Sequence, residues 1–144
     1  MTLHLLKLCV GVDSLEQLAR WQKARAATLK KKGARAELVH VTRHTPKRAQ
    51  ELLDGGSLYW VIAGQVAARQ TLIAIRPVKS KDGPPRCGLV YEPKLIPTLR
   101  RFHRPFQGWR YLEARDAPPD ARTFQRGKGL PAALCAELAE LGLL

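Results

Sequence analysis

Apolar residues recur along the chain with two different periods, and these periods predict the order of the secondary-structure elements. Leu3 to Val12 is mostly apolar and predicts a first strand. Ser14 and Gln17 form a capping box, which predicts the start of a long helix. Three lysines followed by Gly33 predict its end. The apolar stripe of this helix contains Leu15, Leu18, Trp21 or Gln22, Ala26 and Leu29.

The middle of the chain predicts a short helix followed by a β-hairpin. Ala36 to Thr42 alternates and predicts a second strand. Thr45-Pro46 is typical of a helix start, and Asp54-Gly55-Gly56 is typical of a helix end. Two β-rich segments follow, Ser57 to Ala63 and Val66 to Val78, with the turn near Gly64.

The last third of the chain mixes strands, loops and a closing helix. The segments are a strand at Cys87 to Glu92, an irregular basic stretch or single helical turn at Pro93 to His103, a strand bulged at Gly108 from Phe106 to Glu113, a surface loop at Ala114 to Gly129, and a helix opened by Pro131. The sequence therefore predicts one α+β domain over residues 1–144. We expect a curved mixed β-sheet, in one variant a partly open pseudo-barrel, flanked by about three helices.

Charge is the feature that sets this composition apart. The 144 residues include 25 Lys and Arg against 12 Asp and Glu, a formal net charge of +13. Such an excess attracts polyanions at long range, and nucleic acid is the commonest polyanion in the cytoplasm. The alternative is that the charge only keeps the protein in solution. The chain lacks a secretory start and an apolar run of ~20 residues, so we expect a cytoplasmic protein without membrane contact.

Catalytic and metal-binding motifs do not emerge from the sequence. Cys9, Cys87 and Cys135 are far apart, which argues against a disulfide framework and against a zinc module. The nucleophile elbow, the phosphate loop and the zinc-protease motif have no counterpart here. The four histidines, His4, His40, His44 and His103, lack the spacing of metal ligands. We therefore predict no catalytic residues, no metal and no cofactor.

Two stretches combine cations with aromatic residues, the combination that binds single-stranded nucleic acid. The first contains Arg43, Lys47, Arg48, Tyr59, Trp60, Arg69 and Gln70. The second runs from Arg100 to Tyr111 and contains Phe102, Arg104, Trp109 and Arg110. We predict that Arg69, Arg104 and Arg110 hold phosphates while Tyr59, Trp109 or Tyr111 stacks a base. Trp60 sits in an apolar run that favours the core, and Trp109 fits a core as readily as a groove.

The sequence also resembles the bacterial domain-of-unknown-function family number 1489. The matching stretches are Gly11 to Ser14, Thr45 to Gly64, Ala68 to Gln70, Arg104 to Leu112 and the DAPPD turn from Asp116 to Asp120. The resemblance covers nearly the whole chain and implies a cytoplasmic protein without an assigned reaction. The succession of short helix, glycine turn and strands is also similar to PUA- and ASCH-type RNA-associated domains, a likeness of architecture alone.

Three functions follow as hypotheses. The first is a nucleic-acid-binding module, for RNA rather than duplex DNA. The second is an enzyme for a phosphorylated or nucleotide-like small molecule, which requires arginines to converge in a pocket with a carboxylate or histidine. The third is a binder of an acidic protein partner, which uses the charge but not the aromatic rings. The sequence leaves the oligomeric state open.

Overall fold

The computed structural model of the protein describes residues 2–9, 11–31, 33, 38–79, 83–104 and 106–121. In these residues the chain forms seven strands and two α-helices. The strands are β1 (Leu3–Leu8), β2 (Leu38–Thr42), β3 (Ser57–Ile62), β4 (Gln65–Val78), β5 (Arg86–Tyr91), β6 (Ile96–Phe102) and β7 (Trp109–Glu113). The helices are α1 (Leu15–Lys31) and α2 (Ala49–Leu53), and a short 3₁₀ helix, Ala114–Asp116, follows β7.

The strands form one mixed sheet in the order β2-β5-β4-β3-β1-β7, and β6 pairs with β4 beside this path. Among the described pairs, β1 and β3 are parallel and the others are antiparallel. The connection from β1 to β3 carries α1, β2 and α2, which is the long crossover that a parallel pair requires. The predicted α+β class with a mixed sheet is confirmed.

Two details of the predicted architecture differ from the structure. Within the described residues the sheet stays open, with β2 and β7 at opposite ends, so the pseudo-barrel is not observed. The same residues contain two α-helices instead of about three, and the helix predicted from Pro131 lies outside them. Neither α-helix combines the length and the apolar character needed to cross a membrane.

Helix α1 begins at the predicted capping box. The backbone N–H of Gln17 donates to Ser14 Oγ at 3.1 Å, while Gln17 Oε1 accepts from the backbone N–H of Asp13 at 2.8 Å. The first bond satisfies an amide group that the first helical turn leaves unpaired, and the second fixes the residue before the cap. At the other end Gly33 has a φ of +72°, the left-handed conformation of a helix-terminating glycine.

The buried stripe of α1 packs on one face of the sheet. Leu15, Leu18 and Gln22 are buried, whereas the Trp21 side chain is 54% exposed. The sequence pattern allowed Trp21 or Gln22 at this position, and the structure places the amide inside. Its partner in the core, described below, explains why a polar group is stable there.

A tight turn joins β3 to β4 at the predicted position. Ala63 and Gly64 both have positive φ, 50° and 79°, and Ile62 pairs with Gln65 across the turn. Two consecutive left-handed residues are typical of a type I′ hairpin turn, which matches the twist of the flanking strands. The turn places the ends of β3 and β4 at one end of the sheet.

Helix α2 begins at Ala49, so the predicted start at Thr45-Pro46 is wrong. The backbone N–H of Arg48 donates to the hydroxyl of Tyr111 on β7 at 3.2 Å. This tertiary contact holds the stretch before Ala49 in turns and outweighs the local preference for a helix start.

The basic stretch Pro93 to His103 contains strand β6, so its prediction as an irregular or helical segment is wrong. Pro97 lies opposite Ala68 of β4 within this strand. Proline lacks a backbone donor and is tolerated where only one edge of a strand is paired in the sheet. Strand β7 is also shorter than predicted and begins at Trp109.

Two apolar clusters lie on opposite faces of the sheet, since successive residues of β1 point to different clusters. The larger cluster lies on the face covered by α1 and includes Leu5, Leu18, Leu58, Trp60 and Tyr91. The smaller cluster contains Leu6, Tyr59, Val61 and Val66, with Phe106, Leu112 and Ala117 packed on it.

Candidate nucleic-acid interface

The first predicted stretch divides between the surface and the core. The side chains of Arg43, Lys47 and Arg48 are exposed. Tyr59, Trp60 and Gln70 are buried, and Arg69 is partly buried. A buried ring or amide cannot contact a nucleic acid on the outside of the fold. Tyr59 and Gln70 therefore do not belong to an external binding surface.

Gln70 is buried because it links α1 to the sheet. Its side-chain amide exchanges two hydrogen bonds of 2.7 Å with the amide of Gln22. Its Nε2 also donates to the carbonyl oxygen of Glu92 at 3.0 Å. The amide of Gln70 thus finds its partners inside the protein, which is the requirement for burying a polar group.

Arg69 is held by a carboxylate on the smaller-cluster face. Its Nε and Nη2 donate to the two carboxylate oxygens of Asp120 at 2.8 and 2.9 Å, and Nη1 donates to Ser57 Oγ at 2.9 Å. The hydrogen bond to Asp120 raises the pKa of Arg69. A phosphate at this guanidinium would have to compete with Asp120.

His4 completes the polar cluster around Arg69. Its Nδ1 accepts the backbone N–H of Ser57 at 3.0 Å, so the ring proton of the neutral form lies on Nε2. Burial, together with the positive charge of Arg69, lowers the pKa of His4. The cluster satisfies its own charges and hydrogen bonds, and this favours a structural role.

Trp109 and Tyr111 are half-buried on β7, the strand at one end of the sheet. Their ring centroids lie 4.9 Å apart in an edge-to-face arrangement. The indole N–H of Trp109 donates to the carbonyl oxygen of His44 at 2.9 Å. The Tyr111 hydroxyl accepts the backbone N–H of Arg48, and the Arg48 guanidinium carbon lies 5.5 Å from its ring centroid. Both rings therefore fix the loop before α2, and only their exposed parts can meet a ligand.

A cavity of about 440 Å³ adjoins this loop. It is lined by Thr2, Leu3, Arg48, Glu51, Asp54, Glu113, Ala114 and Arg115. Arg48 pairs with Glu51 and Arg115 pairs with Glu113, so both guanidiniums are already neutralised by carboxylates. The enzyme hypothesis requires arginines that are available to a phosphate, and this cavity does not provide them.

The second stretch forms an exposed basic patch, which we call the β6–β7 surface. It comprises the end of β6, the loop after it and one side chain of β7: Arg100, Arg101, Phe102, Arg104 and Arg110. Phe102 is 72% exposed. In the described part of the chain, none of these four arginines forms an ion pair with a carboxylate.

Side-chain contacts connect the two ends of this surface. The ring of His103 packs edge-to-face on Phe106 with centroids 5.0 Å apart. The Arg110 guanidinium carbon lies 5.6 Å from the Phe106 ring centroid. Phe106 itself packs on the smaller apolar cluster. The loop between β6 and β7 is therefore anchored, and it holds Arg104 and Arg110 close to the end of β6.

Phe102 is the functional candidate that the sequence pattern did not single out. The run Arg100 to Arg104 carried the signal, but its prediction as irregular gave no reason to separate exposed from buried rings. Once β6 is known to be a strand, Phe102 pairs with Gln65 at its last position, where the apolar core ends. Among the described residues, no cluster of His, Cys, Asp and Glu has the arrangement of a metal site.

The chain was compared with known families, curated proteins and solved structures. No curated protein and no solved structure gives a significant match. One family does match, over residues 5–144, and it is described as protein of unknown function (DUF1489). The match covers almost the entire sequence, as the resemblance of its central stretch and of its Trp-Arg-Tyr segment predicts. The chain therefore belongs to the DUF1489 family.

Proposed function

We propose that this protein is an RNA-binding module and that its principal contact is the β6–β7 surface. The observation that carries the proposal is the exposed ring of Phe102 in a basic stretch of β6 and the following loop, whose arginines form no ion pair with a carboxylate in the described part of the chain. An exposed aromatic ring offers a flat apolar face on which a stacking partner can pack. A nucleobase is such a partner, and the phosphates on either side of it match the arginines.

The two kinds of contact contribute differently to affinity. Stacking of one base on an exposed ring contributes ~1–3 kcal/mol and depends little on salt. Each phosphate contact in a single strand releases bound counterions and adds about 0.7 to the slope of log affinity against log salt concentration. The four arginines of the β6–β7 surface together therefore favour a strongly salt-dependent interaction.

The exposed cations of the first stretch extend the proposal. Arg43 and Lys47 are exposed and have no ion-pair partner in the described part of the chain. They adjoin the loop that Trp109 and Tyr111 hold in place. In this proposal they add long-range attraction for the polyanion, and the protein works in the cytoplasm without a cofactor.

Binding of labelled single-stranded RNA to the Phe102→Ala variant tests the stacking contact. We expect about 5- to 100-fold weaker binding than wild type, since one base loses its platform. Ile73→Ala is the matched control. Ile73 is also an exposed apolar residue, and it lies in the second half of β4, away from Gln65, the residue that pairs with Phe102. Equal effects of the two substitutions would contradict the proposal.

A salt series with the Arg104→Gln variant tests the phosphate contacts. We expect weaker binding at every salt concentration and a slope reduced by about 0.7. Arg25→Gln on the exposed face of α1 is the control and should retain the wild-type slope. The proposal would be contradicted if the protein did not bind RNA at low salt, or if Arg104→Gln had the same salt slope as wild type and as the Arg25→Gln control.

The third hypothesis, an acidic protein partner, is separated by the same pair of variants. A partner of that kind uses the arginines but has no base to stack on Phe102. Binding that depends on Arg104 but not on Phe102 would favour the acidic partner. Binding to duplex DNA as tight as to single-stranded RNA would equally contradict a stacking surface, since the bases of a duplex are already stacked on one another.

A further inference from the structure

A second cavity, of about 340 Å³, lies between α1 and the sheet. Its described lining is formed by Cys9, Gly11, Val12, Leu18, Trp21, Val39, His40, Trp60 and Tyr91. Its size falls within the range of small-molecule sites, ~300–1,000 Å³. It shares no residue with the β6–β7 surface, and the proposed function above does not use it.

Aromatic rings form the walls of this cavity, and they are rigidly placed. The rings of Trp60 and Tyr91 lie edge-to-face with centroids 5.8 Å apart, and His40 packs edge-to-face on Trp60 at 5.4 Å. The Trp60 indole N–H is fixed by a 2.8 Å hydrogen bond to Gln70. Flat walls held in this way favour a flat ligand over a flexible chain.

Trp21 lies at the solvent side of the cavity. Its side chain is 54% exposed although it belongs to the lining, whereas Trp60 and Tyr91 are buried. Because the Trp21 indole lines the cavity and is half exposed, a ring that enters from the solvent can contact it. The cavity therefore has a deep wall and a wall near the solvent, both aromatic.

The polar groups of the lining are uncharged at neutral pH. Burial, followed by the charge of Lys7, lowers the pKa of His40 to about 4. Burial raises the pKa of the Cys9 thiol to about 11. Burial also raises the pKa of Tyr91. An anionic group is not neutralised by such a lining, so the part of a ligand that enters has to be neutral.

His40 adds specific hydrogen-bonding capacity. None of the described residues forms a hydrogen bond with its ring nitrogens, although the ring lines the cavity. A neutral imidazole offers one donor and one acceptor. The edge of a nucleobase offers donors and acceptors in the same plane, whereas a purely apolar ring would leave the imidazole without a partner.

We propose that this aromatic cavity binds a nucleobase, with Trp21 and Trp60 as its walls and His40 as its hydrogen-bonding group. The base can come from a free nucleoside or from an RNA strand, because the recognised chemistry is the same neutral heteroaromatic ring. The inference goes beyond the proposed function, since a free nucleoside does not require the β6–β7 surface.

Calorimetric titration of the full chain with adenosine, guanosine, cytidine and uridine tests the proposal directly. We expect at least one nucleoside to bind with one-to-one stoichiometry. In Trp21→Ala we expect about tenfold weaker binding, the loss of one stacking wall. Ile73→Ala, a half-exposed apolar residue outside the lining, should bind like wild type. Circular dichroism confirms that both variants are folded, and Trp21 is exposed enough for its loss to be tolerated.

The His40→Leu variant tests the hydrogen-bonding group with a second probe. Leucine keeps an apolar wall but removes the donor and the acceptor, so nucleoside binding should weaken while toluene binding is retained. Toluene binding without binding of any nucleoside would overturn the proposal. Nucleoside binding that is unchanged in both Trp21→Ala and His40→Leu would overturn it as well.

Parallel titrations with a short RNA strand separate this inference from the proposed function. Phe102→Ala should weaken RNA binding and leave nucleoside binding unchanged. If nucleosides bind while RNA does not, the proposed function fails and the cavity assignment stands. If RNA binds through Phe102 while nucleosides do not bind, the assignment fails and the proposed function stands.

Discussion

The indole N–H of Trp60 donates a 2.8 Å hydrogen bond to the side-chain oxygen of Gln70, ten residues further along the β3–β4 hairpin. The same oxygen accepts from Gln22 of α1 at 2.7 Å. One amide therefore joins the helix, the hairpin and the wall of the aromatic cavity. A fully satisfied polar network of this kind positions its members more uniquely than apolar contacts do.

Removing this amide should destabilise the protein strongly. We expect Gln70→Leu to lower the free energy of unfolding by about 2–4 kcal/mol, because the donors of Trp60 and Gln22 lose their acceptor in the core. Urea denaturation measures the change. Gln50→Leu on the exposed side of α2 is the control and should change stability by less than about 0.5 kcal/mol. A similar, small change in both variants would contradict the network.

The pair of Arg69 and Asp120 ties β4 to the segment after the 3₁₀ helix. We expect Arg69→Gln and Asp120→Asn each to cost about 1–3 kcal/mol, less than a fully buried pair, because both side chains retain some exposure. In a double-mutant cycle the two losses should not add, since each removes the same contact. Arg115→Gln breaks an exposed pair with Glu113 and should cost less than about 1 kcal/mol. Additive losses at Arg69 and Asp120 would show that the pair does not act as a unit.

Acid should destabilise the fold through His40. Its pKa is lowered from 6.5 to about 4 in the folded state, so between these values the unfolded chain binds a proton that the folded chain does not. His40 therefore does not lower the free energy of unfolding above pH 6.5. As the pH drops toward 4, its protonation in the unfolded chain lowers that free energy by roughly 2–3 kcal/mol. The titratable groups near His40 are Lys7, whose charge contributes to its lowered pKa, and Cys9 and Tyr91, which line the same cavity.

Urea denaturation at a series of pH values, with His40→Asn beside wild type, isolates this contribution. The variant should lose the part of the pH dependence that His40 causes. His44→Asn is the matched control because its side chain is exposed. An unchanged profile in His40→Asn would show that His40 does not control acid stability.

The two glycines after α2 should differ sharply in their tolerance of alanine. A Cβ at Gly56 would lie 2.2 Å from the carbonyl oxygen of Leu52 and 2.4 Å from that of Leu3, so the backbone has to move. Gly55 has a φ of +82° and open space around it, so alanine there meets backbone strain of only ~1–2 kcal/mol. We expect Gly56→Ala to lower the thermal midpoint more than Gly55→Ala. The reverse order would contradict the close approach of β1 to this turn.

Local chemistry explains which parts of the fold could be read from the sequence. The cap of α1 and the Ala63-Gly64 turn depend on a few adjacent residues, and both were predicted. The start of α2 and strand β6 depend on partners far along the chain, such as Tyr111 for Arg48 and β4 for Pro97. No local pattern contains those partners, so both predictions were wrong.

The candidate site followed the same division. Basic and aromatic residues could be listed from the sequence, but their exposure depended on which face of a strand they occupied. Tyr59 and Gln70 lie on faces that are covered by other elements, while Phe102 lies at the end of a strand where the core stops. The aromatic cavity combines Trp21, His40 and Trp60 from three distant elements, and only their packing reveals it.

Strand β4 pairs with β3, β5 and β6, all nearby along the chain, whereas β1 pairs with β3 and β7 across long intervals, as in Leu5 with Leu58 and Leu3 with Glu113. Contacts between distant segments form late, because closing a long loop costs chain entropy before any stabilising contact between its ends has formed. We therefore expect the segment from β3 to β6 to nucleate folding and β1 to insert last. During ribosomal synthesis β1 would then emerge before its two partner strands, and it would stay unpaired on the β7 side until Trp109–Glu113 has been synthesised.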